Sequence, residues 1–169
     1  MLQNMGAIIG LGADRTIYID GVKKMSGVRR KVMPDRNEAV SFACLAAAGK
    51  GNKIKIKDAI HNHLITFLNE FRRVGGEYKV EGDGIVFWRS NSLSGGLSAI
   101  ELETDTHPGF MTDWQQPFAI LLTQADGISI IHETVYDNRF GYAKDLNFMG
   151  ANIKVFSKCL GELPCRFNG

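Results

Sequence analysis

Cysteine is scarce in this chain of 169 residues: only Cys44, Cys159 and Cys165 occur, at irregular spacing. An odd, irregular set does not make a disulfide framework, so a crosslinked secreted scaffold is excluded. An excess of either charge is lacking too. The formal net charge is +2, too small to argue for nucleic acid or a membrane surface as partner. No apolar run approaches the length of a membrane span. Met1-Leu2-Gln3-Asn4-Met5-Gly6 has no basic region followed by an apolar core, so it does not read as a secretory signal. These absences make cytoplasm the expected compartment, with no membrane and no nucleic acid among the partners.

What is present is ordinary for a globular protein, with 44% hydrophobic and 22% charged residues. The length suits one domain, or one and a part. Cys44 lies in Phe42-Ala43-Cys44-Leu45-Ala46-Ala47 and reads as a small buried residue rather than a reactive thiol.

Residues 1–22 look like the tail of something longer. Leu2 to Ala7 reads as a helix end with Gly6 just past it, and Ile8 to Asp20 as two short strands. A natural domain rarely begins with the last turn of a helix, so the chain is expected to start inside a longer sequence. Lys23, Lys24, Arg29, Arg30 and Lys31 read as a solvated linker or strand flank rather than a phosphate-binding patch. Asp35 with Glu38 makes a capping-box-like start, and the helix it opens stops at Gly49. Lys53-Ile54-Lys55-Ile56-Lys57 alternates strictly, as a strand with one buried and one basic, solvent-facing side. Two histidines spaced as in His61-Asn62-His63 can ligate a metal on a strand. Here they precede the helical pattern of Leu64, Phe67, Leu68 and Phe71, with Asn62 suited to be its N-cap. No cysteine or further histidine lies near, so no metal site is expected. Glu77–Val80 and Ile85–Arg89 read as a hairpin.

The pattern then recurs: a strand over Ala99–Glu103, a helix from Thr112 to Ala125 with Thr112 and Gln115 as a capping box, a strand over Gly127–His132, a short helix over Ala143–Met149, a strand over Asn152–Ser157 and the start of another at Pro164–Phe167. Phe71-Arg72-Arg73-Val74-Gly75-Gly76 aligns with Leu146-Asn147-Phe148-Met149-Gly150-Ala151, and Asp35 with Asp113. The expected fold class is α/β (α+β): two copies of a β-α-β-α-β-β unit, each roughly seventy to eighty residues, helices packed inward. Two such units leave the helix cluster open, so either a third unit is missing or the chain self-associates.

Asp35 and Asp113 each stand at a helix N-terminus, where the dipole and free amides favour a charged carboxylate. A general base requires that state, although capping alone is a sufficient explanation for both. Arg139 can hold a carboxylate or phosphate, or pair with Asp137 or Asp113. His107, before Pro108-Gly109, can donate to a ligand or fill a turn.

Several of these stretches carry a resemblance: Pro34-Asp35-Arg36-Asn37-Glu38-Ala39; His107-Pro108 with Phe110; Thr112-Asp113 with Gln115; Glu133-Thr134-Val135-Tyr136-Asp137-Asn138-Arg139-Phe140; and Met149-Gly150-Ala151. In order and approximate spacing they resemble the UDP-N-acetylglucosamine 1-carboxyvinyltransferases of the enolpyruvyl transferase family, over nearly the whole chain. The Glu-Thr-Val segment ending in Asn-Arg-Phe points to these rather than to 5-enolpyruvylshikimate-3-phosphate synthase.

The resemblance implies two similar domains, each of three β-α-β-α-β-β units. Residues 1–24 would be the terminal hairpin of one domain. Residues 25–169 would be two of the other's three units, repeat one over about 28–91 and repeat two over about 97–169, with the third missing. It implies transfer of the enolpyruvyl group of phosphoenolpyruvate to the 3′-hydroxyl of UDP-N-acetylglucosamine, the first committed step of peptidoglycan synthesis, without metal or organic cofactor. Asp113 would be the acid/base group and touch substrate, and Val135 would lie beside the sugar nucleotide. Asp35, Arg36, His107, Asp137 and Arg139 would be cleft residues. The family's N-terminal lysine-asparagine pair and its loop cysteine or aspartate have no counterpart here, so the isolated chain is expected to turn over little or nothing. The alternative is a non-catalytic remnant or UDP-sugar-binding module of the same fold. Pro117 departs from the family's helix former and is expected to kink the early helix.

Overall fold

The computed structural model describes residues 1–90 and 96–156. The chain forms two compact units, Met1–Met33 and a larger one beginning at Pro34. In the first, a 3-10 turn over Leu2–Met5 stops at Gly6, whose φ of 104° suits a residue without Cβ. Strands β1 (Ile8–Leu11) and β2 (Ile17–Asp20) pair antiparallel with Ile9 opposite Ile19. The Asp14 carboxylate closes the turn between them by accepting from the Thr16 amide and hydroxyl.

In the larger unit, α1 (Arg36–Ala48) starts at Asp35, whose Oδ1 accepts from the Asn37 amide at 2.7 Å. Its buried side is built from Ala39, Val40, Ala43, Cys44, Ala46 and Ala47. Small side chains let α3 (Gln115–Leu122) pack closely against it. Strands β3 (Lys53–Lys57), β4 (Gly76–Glu81) and β5 (Gly84–Arg89) form an antiparallel sheet in the order β3-β5-β4. Helix α1 packs on β3 and β5, and α2 (Ile65–Arg73) on β4. Ile54 and Ile56 join the core while the intervening lysines are exposed.

Farther along, β6 (Leu97–Ser98) runs parallel to β8 (Ala125–Asp126), and β7 (Glu101–Glu103) parallel to β9 (Ile130–His132). Helix α4 (Tyr142–Phe148) follows, and Gly150 ends it at φ 102° as Gly75 follows α2 at φ 104°. The two halves of this unit share one core. Phe67 on α2 lies 6.0 Å from Trp114 and 5.9 Å from Phe118, centroid to centroid, with Phe71 at 5.3 Å. Among the described residues no helix is long and apolar enough to cross a membrane.

The mixed helix and strand architecture is the expected one, but four local expectations fail. No strand forms between β2 and α1, so the first repeat lacks its opening strand among the described residues. Asn62 does not cap α2: His61–His63 is a 3-10 turn, and Leu64 occupies the cap position with no side-chain bond. Residues 152–156 join no ladder among the described residues. Asn147 instead brackets Ile153, donating to its carbonyl and accepting from its amide, both at 2.7 Å. The strand start at Pro164–Phe167, like Cys159, Cys165 and Ser157, lies outside the described residues. Finally, Pro117 sits in the first turn of α3, after a 3-10 turn over Thr112–Trp114, where the backbone N–H donor it lacks is least needed and no kink is required.

Candidate active site

The loop before α3 is tightly turned. The Gly109 amide donates to Thr106 O and the Asp105 amide to Phe110 O, both at 2.7 Å, which sends Phe110 into the core. A Cβ on Gly109 would meet Asp105 Cβ at 2.5 Å and Thr106 O at 3.0 Å, so glycine is required by close approach. The His107–Pro108 peptide is cis, and Pro108 O accepts from the Thr66 hydroxyl on α2.

Arg36 reaches across to this loop, its Nη1 3.2 Å from His107 Nδ1. Arginine can only donate, so Nδ1 accepts, and the proton of the neutral ring stands on Nε2. One residue on, Asn37 Oδ1 accepts from Trp114 Nε1 at 3.0 Å. The starts of the two aligned helices are thus joined by side chains.

Asp113 does not cap its helix. Its Oδ1 takes the Arg139 guanidinium at Nη2, 2.7 Å away, and among the described residues that is its one ion pair. The Arg139 guanidinium also lies 4.9 Å from the Tyr136 ring centroid, a cation–π contact. Its Nε is buried and has no partner among the described residues. Asp113 stays 46% exposed and Arg139 23%, so the carboxylate is held in one orientation yet open to a ligand.

Thr112 and Gln115 were expected to form a capping box. Both donate instead to Glu133 Oε2, Thr112 at 2.9 Å: the charged carboxylate is a strong acceptor for their O–H and N–H, whereas a helix start offers only further N–H donors. Glu133 Oε1 accepts from the Val135 amide at 2.8 Å and the Tyr136 amide at 3.0 Å. Thr134 is fixed in turn, its amide donating to Thr104 Oγ1 at 3.1 Å and its hydroxyl to Thr104 O. Burial first, and then the Glu133 charge, pushes the Tyr142 hydroxyl up to about 12, with Arg139 opposing.

The structure therefore brings together Asp113 and Arg139, links the Val135 amide through Glu133 to Thr112 and Gln115, and joins Arg36 to His107. Asp35 is engaged in capping α1. Asp137 is exposed beside Asn138, whose φ of 56° turns the chain. Glu133 is the residue that sequence reasoning passed over. The available signal was Gln115: a glutamine that helical spacing buries must find a polar partner. No group of three or more metal-ligating side chains converges among the described residues, and His61 instead tilts against the Tyr78 ring.

A family model described as EPSP synthase (3-phosphoshikimate 1-carboxyvinyltransferase) matches residues 1–167. The chain belongs to this family. Among curated relatives, the UDP-N-acetylglucosamine 1-carboxyvinyltransferase of Protochlamydia amoebophila is 52% identical over 166 residues, covering 98% of the chain and 35% of the relative. The protein of the same name from Chlamydia trachomatis serovar D is 45% identical over 167 residues, 99% of the chain and 37% of the relative. The chain thus spans about a third of the length of these relatives. Among solved structures, the enolpyruvyl transferase NikO from Streptomyces tendae superposes with a TM-score of 0.78 at 24% identity, over 91% of the chain and 36% of NikO, which supports the fold.

Proposed function

We propose that this chain is part of a transferase that moves the enolpyruvyl group of phosphoenolpyruvate to the 3′-hydroxyl of UDP-N-acetylglucosamine, in the cytoplasmic opening step of peptidoglycan synthesis. The hydroxyl oxygen adds to C2 of phosphoenolpyruvate while C3 takes a proton. The tetrahedral adduct then loses a C3 proton and phosphate, restoring the double bond. Asp113 takes the hydroxyl proton, Arg139 orients that carboxylate, and Val135 lies against the sugar nucleotide. Arg36 and His107 supply a guanidinium and an Nε2–H to anionic or carbonyl oxygens, and Asp35 and Asp137 flank them. The observation that carries this reading is the convergence of Asp113 and Arg139, far apart in sequence, at 2.7 Å, within a chain 52% identical to a protein named for this chemistry.

We also propose that residues 25–169 are two of three repeats. The half-exposed Phe42, Leu45 and Ile120 on α1 and α3 support burial against further chain or a second copy. Sedimentation of the isolated chain tells these apart: a concentration-dependent dimer supports the second copy, and a monomer leaves the third repeat.

The test is a graft. The chain replaces the matching third of the Protochlamydia relative, and phosphate release from phosphoenolpyruvate is followed with UDP-N-acetylglucosamine present. The graft is expected to turn over, and Asp113→Asn within it to lose on the order of 10²–10⁴-fold, the usual worth of a general acid/base. An Asp113→Asn graft as active as its parent would remove Asp113 from the mechanism.

A further inference from the structure

We infer that Glu133 is the positioning residue of this site, holding the Asp113 turn and the Val135–Arg139 segment at a fixed separation. The inference rests on the function proposed above. Its two oxygens are divided between two segments far apart in sequence. Among the described residues Oε2 accepts from the α3 side, from Thr112 Oγ1 at 2.9 Å and Gln115 Nε2. Among them Oε1 accepts from its own strand end, from the Val135 and Tyr136 amides at 2.8 and 3.0 Å. Four donors on one carboxylate satisfy it fully, so it has no capacity left to act on substrate itself. Both groups it sets touch the chemistry. Thr112 immediately precedes Asp113, and the Tyr136 ring supports the guanidinium that holds Asp113. The Thr104–Thr134 pair fixes the far side to the end of β7. Glu133 is therefore a rigid spacer, and its length matters more than its charge.

Length and charge separate by substitution. Glu133→Asp keeps the charge but is one methylene shorter, and it cannot reach both segments at once. Glu133→Gln keeps the length. Its carbonyl can still accept from the Val135 and Tyr136 amides, and its NH₂ can donate to Thr112 Oγ1. It can also donate to Gln115 Oε1 after a flip of that amide, an oxygen now buried without a partner.

The experiment uses the ¹⁵N-labelled chain. Amide exchange at Val135 and Tyr136 is measured with the α2 amides as an internal control, together with the Kd for UDP-N-acetylglucosamine. Glu133→Asp is expected to speed exchange at both amides about tenfold or more and to weaken binding by a similar factor, with α2 unchanged. Glu133→Gln is expected to rescue both to within about threefold of the parent. A Glu133→Asp variant indistinguishable from the parent overturns the inference. So does a Glu133→Gln variant as impaired as Glu133→Asp, since charge would then be the essential property. If Glu133→Asp does not fold, Glu133→Gln alone still decides. If the parent itself fails to bind the nucleotide, the proposed function falls, while the exchange rates still report whether Glu133 sets the spacing.

Discussion

Replacing Phe67 with alanine tests whether the two halves of the larger unit share one core. Phe67 is fully buried on α2, and its ring meets Phe71 at 5.3 Å, Phe118 at 5.9 Å and Trp114 at 6.0 Å. A Phe→Ala change in a core costs about 3–5 kcal/mol through lost transfer energy and the cavity left behind. Ring pairs in tilted or edge geometry add about 0.5–1.5 kcal/mol each beyond area, so a loss near the top of that range, about 4–5 kcal/mol, is expected. Domains of this size hold about 5–15 kcal/mol in total. With a urea slope of about 1–3 kcal/mol/M, the midpoint should fall by about 1.5 M or more. The assay is urea unfolding in a Trp88→Phe background, leaving Trp114 as the sole indole, followed by fluorescence and circular dichroism together. Coincident curves shifted by that amount are expected, because Phe67 on α2 packs directly on Trp114 and on Phe118 of α3. A shift under about 0.5 M, or a fluorescence transition that ignores the substitution while ellipticity follows it, would refute the shared core.

Other expectations follow from charge and burial. Lys55 bridges Glu81 at 2.8 Å and Asp83 at 2.6 Å, its hydrogen bonds to Asp83 and then Glu81 raising its pKa and, in return, lowering theirs. Lowered carboxylate values add stability that is lost as pH falls through the folded values, below the ordinary 4.5 and 3.8. The raised lysine adds stability that is lost above its ordinary 10.5. Thermal melts of the parent and Lys55→Met should therefore differ slightly and constantly from pH 6 to 9 and converge at both extremes. The Tyr142 hydroxyl, raised from 10.0 to about 12, adds stability that is complete below pH 10 and lost as pH rises through 12. In an absorbance titration, Tyr142→Phe should delete a component that ionises near pH 12. Burial pushes the Cys44 thiol up, so iodoacetamide at pH 8 should label Cys44 only in denaturant, as peptide mapping would read.

Local patterns were legible wherever one short segment carried its own reason. Asp35 at the start of α1 and the alternation of Lys53–Lys57 stand as read, because capping and pleat are local requirements. What the sequence hid depends on partners distant in the chain. Thr112 and Gln115 fit a capping box on spacing, yet Glu133 takes both. Asp113 fits a cap on spacing, and of the two carboxylates open to Arg139, Asp137 and Asp113, only the structure selects Asp113, across an interval of 26 residues. Residues 152–156 have strand composition, but a strand forms only against a neighbour; among the described residues they have none, and Asn147 holds Ile153. Of the site, the resemblance supplied Asp113, Val135 and Arg139, whereas Glu133 emerged only from geometry.

The central claim is that this chain carries the UDP-sugar side of an enolpyruvyl transfer site around Asp113. Titrating the ¹⁵N-labelled chain with UDP-N-acetylglucosamine tests it most directly. The account predicts saturable shifts centred on Asp113, Val135 and Tyr136, extending to the Arg139 side chain, and weakened at least about tenfold by Arg139→Leu, which releases Asp113. Shifts centred instead on the lysine face of Lys53–Lys57, or no saturable shift at millimolar nucleotide, would contradict it.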